Sequence, residues 1–383
     1  MSPGSAGDDL AEVDPRPRSG VGQRSARDAA AGADSLILDG SVSLGSSGDA
    51  AGQTDSRLRS GVVSGRGAGN DVVTFGETMA ALRADGLIRL GGTMRLSVAG
   101  AESNVAIGLA RLGHSVGWVG LVGGDEPGEL VLRTLRAEGV DVAHACVDER
   151  GPTGLILLER RVGELTRVIY HRAGSAASFL VADDVLPALD SLPKLLHVTG
   201  ITPALGRGPA EAVRVVVREA AASGVLTCLD VNYRARLWGR EQAAETLRPL
   251  VSSLSVVIAS DDELELVAPG AATTERDRVA ALLDAGVSEV IIKRGGDGAS
   301  GHTADQVVDV PARRVQVVDV VGAGDAFVAG YLSGLLDELD LTGRLDRAVT
   351  TGAFAVASSG DWEGLPSRSE LGLLDALPGS TLR

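Results

Sequence analysis

Two cysteines in 383 residues, Cys146 and Cys228, are too few for a disulfide framework, and neither belongs to a C-x-x-C pair of the kind that builds a zinc knuckle. Each lies inside an apolar run and reads as a buried thiol. The five histidines stand singly, without H-E-x-x-H or another ligand spacing, so no metal constellation is visible and each is expected to be an ordinary surface or core residue. Aromatic residues make up 3% of the chain, which leaves little to stack a nucleobase. Positive charge is also short. The net charge of −15 argues against a broad nucleic-acid or anionic-membrane surface, so any phosphate has to be met by a local pocket. No run of about 18 apolar residues occurs, and the N-terminus has no compact apolar segment followed by a cleavage site, so the expectation is a cytoplasmic protein.

What the chain does have is 44% hydrophobic residues, enough for one large core or two smaller ones. Residues 1–70 form a separate zone rich in Gly, Ser, Ala, Asp and Arg, with brief apolar patches such as "SLILDG". Such a segment has little to bury against the entropy of ordering it, and it reads as a disordered N-terminal extension. From Asp71 to the C-terminus, residues 71–383, apolar strands alternate with amphipathic helices. "DVVTFGE", "SVGWVGLVG", "KLLHVTG", "VLTCLDVN", "LSVVIAS" and "EVIIKRGG" read as strands. "AESNVAIGLARLG", "DEPGELVLRTLRAEGV" and "GPAEAVRVVVREAAASG" read as helices, followed by one after Trp238 and others through Leu283. Buried strands joined by helices predict an α/β fold: a three-layer α/β/α arrangement around a mostly parallel sheet.

Two stretches break that rhythm. "TGLILLERRVGELTRVIYHR", residues 153–172, holds two β-rich runs around Val162-Gly163-Glu164, which is hairpin chemistry. With "LIRLGGTMRLSV", residues 87–98, it predicts a small antiparallel sheet outside the main one, either a lid or a peripheral hairpin.

The string "VDVVGAGDAFVAGY", Val318 to Tyr331, carries the chemistry. It is no dinucleotide fingerprint, because Phe327 stands where the third glycine belongs, and the chain has no Walker A sequence. A strand "RRVQVVDV", a turn Gly322-Ala323-Gly324 and a helix from or near Asp325 would leave backbone N–H groups free to hold an anion. A carboxylate in such a turn weakens resting phosphate binding, yet it can take the proton of an attacking hydroxyl, a role worth roughly 10²–10⁴ in rate. Asp325 could equally be a plain helix cap beside glycines that permit a tight turn, and the string alone leaves both open.

Joined with "VAGAESNVAIGLARLG", "DVNYRARLW" and "IIKRGGDGA", in that order and spacing, the string resembles the ribokinase-like, or PfkB, carbohydrate kinases. Within that family, "YHRAGSAAS", "HVTGITPAL", "DVNYRARLW" and "GDWEGLP" are most similar to 2-keto-3-deoxygluconate kinases. The resemblance implies ATP-dependent phosphorylation of a sugar-acid hydroxyl, most specifically the conversion of 2-keto-3-deoxygluconate to its 6-phosphate. It makes Asp325 the base and the amides of Gly322, Ala323 and Gly324 the anion hole. It sets Gly100, Asn104, Tyr170, Arg172, Arg234 and Asp361 around the substrate, and Asn232, Lys293, Arg294, Gly295, Gly296 and Gly298 beside the nucleotide. Mg²⁺ would be held through phosphates and water, with Glu263 the nearest acid. Arg172 and Arg234 suit a sugar acid because a guanidinium grips a carboxylate with two parallel hydrogen bonds. The small sheet suggests pairing of subunits.

Two positions depart from the family pattern. Val320 stands where many members have Thr after the first Asp of the string, and "SDDE" replaces N-x-x-E, giving Ser260 and Glu263. The alternatives are a kinase of a neutral sugar such as fructose or ribose and, from another class, a non-catalytic sugar-binding regulator on the same fold.

Overall fold

The computed structural model describes residues 69–161, 166–270 and 272–375. The expected extension over residues 1–70 lies almost wholly outside the described residues. In chain order the strands are β1 (Val72–Phe75), β2 (Met79–Ala84), β3 (Met94–Ala99), β4 (Val116–Val119), β5 (Leu121–Val122), β6 (Cys146–Val147), β7 (Leu155–Arg160), β8 (Thr166–His171), β9 (Leu195–Thr199), β10 (Leu226–Asp230), β11 (Val256–Ser260), β12 (Glu289–Lys293), β13 (Ala299–His302) and β14 (Val307–Val310). The helices are α1 (Ala101–Arg111), α2 (Glu126–Ala137), α3 (Ala182–Val185), α4 (Arg207–Ala222), α5 (Arg240–Leu247), α6 (Glu275–Asp284), α7 (Ala323–Leu336) and α8 (Leu341–Val356).

Eight strands form the main sheet in the order β14-β13-β12-β11-β10-β9-β1-β4. The six from β12 to β4 run parallel, and β13 and β14 add an antiparallel edge. The parallel strands are apolar along their whole length because both faces are covered. Val73 and Phe75 pack with α4, α5 and α6 on one side, while Val72 and Trp118 pack with α1, α2, α7 and α8 on the other. The helices show matching stripes: Val213, Val216, Val217 and Ala220 put the buried face of α4 on the sheet. At the start of α2 the Asp125 side chain accepts the Gly128 N–H at 2.9 Å, and Pro127 occupies the first turn.

The smaller sheet has the order β3-β2-β7-β8. Two antiparallel pairs, β2 with β3 and β7 with β8, meet through a parallel pairing of β2 and β7. The residues proposed from sequence supply β3, β7 and β8, and the turn at 162–165 lies outside the described residues. β2 had no separate signal, because "MAALRA" lacks the β-branched residues that mark strands.

The expected strand "RRVQVVDV" is not one. Residues 311–320 are an irregular connection, and the edge strand lies earlier, at β14. Its alternating valines mimic a strand, but Val317 and Val320 are exposed and the segment has to leave the sheet edge to reach the turn at Gly322. "SVGWVGLVG" likewise splits into β4 and β5. Cys228 is buried as expected, whereas Cys146 is only half-buried, with its Sγ donating to the His144 carbonyl at 3.9 Å. His197 is a core residue bonded to Thr74 Oγ1 at 2.9 Å, and burial pulls its pKa down to about 3, so the ring is neutral.

Candidate active site

The C-terminal ends of β10, β11 and β12 open toward the N-termini of α1 and α7, the position where parallel sheets of this kind bind ligands. Gly322 caps α7 with φ 76°, in the left-handed region, and a Cβ there would sit 2.0 Å from the Asp361 carbonyl oxygen. Only glycine meets both conditions. The chain therefore enters α7 abruptly, and the first-turn amides, which have no partner within the helix, face the cleft. Beyond Gly324 the space is open, and the first atom a Cβ there would meet is Lys293 Nζ, 3.9 Å away.

Asp325 lies in the first turn of α7, not at its cap, since Gly322 occupies that place. Its buried carboxylate is held by two side-chain amides: Asn104 Nδ2 donates to Oδ2 at 2.8 Å and Asn232 Nδ2 to Oδ1 at 3.3 Å. The plain helix-cap reading of Asp325 is thereby removed. Asn232 has φ 40°, a conformation rare for a residue with a side chain, and its amide also reaches Asp230 Oδ2 at 3.2 Å. Lys293 Nζ pairs with Asp230 Oδ1 at 2.6 Å. Burial pushes the Asp230 carboxyl up against the pull of Lys293. The same burial would lower Lys293, but Asp230, Glu263 and Asp325 outweigh it and raise its pKa overall. One ammonium thus sits among three carboxylates beside the glycine turn.

A cavity of about 100 Å³ opens in front of Asp325, and its walls include Gly100, Asn104, Tyr170, Arg172, Arg234, Gly322 and Asp361. Every substrate-side candidate from the sequence meets there. Their roles differ in detail. Arg172 is ion-paired with the buried Glu77, which also accepts Ser175 Oγ at 2.5 Å, while Arg172 Nε is a buried donor without a partner among the described residues. Arg234 is exposed and donates to the Tyr233 carbonyl at 3.2 Å. Gly100 owes its identity to packing: a Cβ would lie 2.4 Å from the Glu77 carbonyl oxygen. Glu102, also in the cavity wall, is fully buried and accepts Thr199 and Thr202 hydroxyls at 2.6 Å each, and burial raises its pKa.

The nucleotide-side candidates divide. Lys293 and Asn232 join the Asp325 network. Arg294 turns away to Glu275, with bonds of 2.7 and 3.0 Å. Gly295 and Gly298 have φ of 55° and 106° in the tight turn that carries β12 into β13, with Gly296 between them. Both Glu263 oxygens accept backbone amides, from Tyr233 at 2.7 Å and Ser260 at 2.9 Å. Ser260 thus keeps its backbone link to Glu263. Val320 is 55% exposed, and its neighbour Val321 packs against the small sheet.

Reading the sequence missed the residues that tie the small sheet to the turn. Arg83 of β2 donates to Asp319 at 2.6 Å and to Asp361 at 3.1 Å. Glu77, just before β2, was missed as well. Neither belongs to a glycine-rich string, and the signal available was the partner: the acids Asp319 and Asp361 for Arg83, and the guanidinium of Arg172 for Glu77.

Residues 70–368 match the pfkB family carbohydrate kinases. The chain belongs to that family. Among its relatives, the 2-dehydro-3-deoxygluconokinase of Bacillus subtilis (strain 168) is 37% identical over 306 residues, 79% of this chain and 94% of the relative. A fructokinase of Escherichia coli is 34% identical over 282 residues, 71% of this chain and 90% of the relative. The structure of a putative ribokinase II from Escherichia coli in complex with ATP and Mg²⁺ superposes with a TM-score of 0.74 at 26% identity, covering 80% of this chain and 99% of that one. The fold is ribokinase-like and the protein is a carbohydrate kinase. Among the described residues no helix is long and apolar enough to cross a membrane.

Proposed function

We propose that this kinase transfers the γ-phosphoryl group of ATP to the 6-hydroxyl of 2-dehydro-3-deoxygluconate, the 2-keto-3-deoxygluconate of the resemblance above. The observation that carries the reading is that a buried carboxylate in the first turn of a glycine-capped helix shares one cavity with the exposed guanidinium of Arg234 and with Arg172 Nε, which has no partner among the described residues. Arg234 and Arg172 Nε grip the substrate carboxylate, Tyr170 walls the ring, and Asp361 closes the end of the pocket. The hydroxyl proton passes to a carboxylate oxygen of Asp325. The substrate oxygen then bonds to phosphorus as the bond to the leaving diphosphate breaks with its electron pair. The amides of Gly322, Ala323 and Gly324 hold the charge that develops on the transferring group.

The donor site fits a nucleoside triphosphate on one side: the open space at Gly324, in the first turn of α7, lies beside the Lys293 ammonium. It fits a divalent ion only through phosphates and water. Among the described residues no three acid, His or Cys side chains are grouped to hold a metal directly, and both oxygens of Glu263 are occupied by amides. Magnesium held in this way offsets triphosphate charge.

The second reading is a neutral-sugar kinase. The Glu77–Arg172 ion pair favours it, because it neutralises one of the two cations the acid would need, and the fructokinase relative supports it. The deciding measurement is kcat/KM with ATP on 2-dehydro-3-deoxygluconate, fructose and ribose. A preference for fructose or ribose overturns the sugar-acid reading, and no ADP formation with any of them overturns both substrate readings. Pairing of subunits through the small sheet remains part of the proposal, supported by the exposed Met94 and Leu96 of β3. A monomer in sedimentation would remove it.

A further inference from the structure

Arg83 lies behind the cavity wall rather than in it. Its guanidinium is half-sunk between the small sheet and the segment leading into the glycine turn, beside Asp319 and Ser359. One arm, Nη1, bonds Asp319 Oδ2 at 2.6 Å, and the other, Nη2, bonds Asp361 Oδ2 at 3.1 Å. Each acid in turn holds the turn. Asp319 Oδ1 accepts the Val321 N–H at 3.2 Å, immediately before Gly322. Asp361 lays its carbonyl against Gly322, where a Cβ would come within 2.0 Å. The segment after Asp361 is tied to the neighbouring strand β3, with Trp362 Nε1 bonded to the Val98 carbonyl at 3.1 Å and Ser97 Oγ to Glu363 Oε1 at 2.7 Å. At its other end β2 supplies Met79 to the substrate cavity and follows Glu77, the partner of Arg172.

We infer that Arg83 is a positioning residue for phosphoryl transfer: by holding Asp319 and Asp361 together from β2, it couples the seating of the small sheet over the sugar to the shape of the Gly322 turn. The inference rests on the reading of that turn as the anion hole. A guanidinium suits the task because its planar fork serves two carboxylates at once, whereas an ammonium is a single point charge on a flexible stem. Asp319 and Asp361 are both buried, so without a shared cation they would repel each other across the turn they shape. A displacement of about 1 Å in such a site costs on the order of 10² in rate.

The test compares wild type with Arg83→Lys and Arg83→Gln, using ATP and whichever sugar of the panel wild type phosphorylates fastest. Arg83→Lys keeps the charge and holds one acid. It is expected to lower kcat about tenfold with the sugar KM within about threefold of wild type and the melting temperature little changed. Arg83→Gln is expected to lose more, with Arg83→Lys falling between it and wild type. Wild-type kcat in Arg83→Lys overturns the inference, and so does a loss carried wholly by the sugar KM, which would make Arg83 a binding residue. If Arg83→Gln fails to fold, the kcat of Arg83→Lys decides alone. The larger readings fail differently: the sugar-acid reading by the wild-type substrate preference, and the catalytic turn by an active Asp325→Asn.

Discussion

Asn104 and Asp325, 221 positions apart in the chain, meet at 2.8 Å where α1 and α7 lie side by side, and the asparagine amide fixes one carboxylate oxygen of the aspartate. Asn232 fixes the other. Amide donors orient a carboxylate without adding a charge.

Asp325→Asn is expected to lower turnover by roughly 10²-fold or more while leaving ATP affinity close to wild type, because the amide keeps the shape and cannot take the proton. Steady-state kinetics with calorimetric titration of ATP checks both halves. Near-normal turnover would leave Asp325 a structural hydrogen-bond acceptor.

Gly322→Ala introduces a side chain at φ 76° and within 2.0 Å of the Asp361 carbonyl. The left-handed conformation alone costs roughly 1–2 kcal/mol, and relief of the clash has to move the turn. Both melting temperature and kcat should fall. Gly324→Ala meets its first atom at 3.9 Å and should melt like wild type while weakening nucleotide turnover. Equal melting temperatures for the two variants would contradict this geometry.

Arg234→Lys is the cleaner probe of substrate choice, since Arg172 also anchors Glu77. Losing a charge-assisted bond of about 1.5–3 kcal/mol corresponds to about one to two decades in kcat/KM. That loss is expected on 2-dehydro-3-deoxygluconate and not on fructose. An equal loss on both sugars would mean that Arg234 does not meet the acid group.

Burial raises the Asp361 carboxyl to about 7, with Arg83 pulling it down and Glu363 and Asp325 adding to the rise. An unfolded Asp titrates near about 3.9, so the folded state holds this proton more tightly. The stability it contributes is therefore full below about pH 4 and is lost as pH rises through about 7. Asp361→Asn removes that titration, and its melting temperature relative to wild type should be higher at pH 8 than at pH 5. A constant difference across thermal melts in that range would show that Asp361 ionises as freely in the folded chain as in the unfolded one.

The layered fold was legible because buried parallel strands must be apolar throughout, as "VVIAS" of β11 is, and because covering helices must carry stripes like that of α4. "RRVQVVDV" misled for the converse reason: alternation marks a strand only when a neighbour pairs with it, and pairing is not written in the segment. The turn Gly322-Ala323-Gly324, Asp325 and the cavity residues were legible as strings, because backbone conformation and side-chain type are local properties.

What the sequence by itself determined is the set of chemical parts: a glycine-led helix start, a carboxylate in its first turn, guanidinium groups, and the order of strands and helices that carries them to one end of a sheet. Tertiary structure decided which parts face one another. Arg172 is spent partly on Glu77, Arg294 is taken by Glu275, and Arg83, in no motif, bridges Asp319 and Asp361 over separations of 236 and 278 positions. A charged group's role depends on the partner within a few ångströms of it, and such partners are chosen by packing between distant segments, which no local pattern encodes.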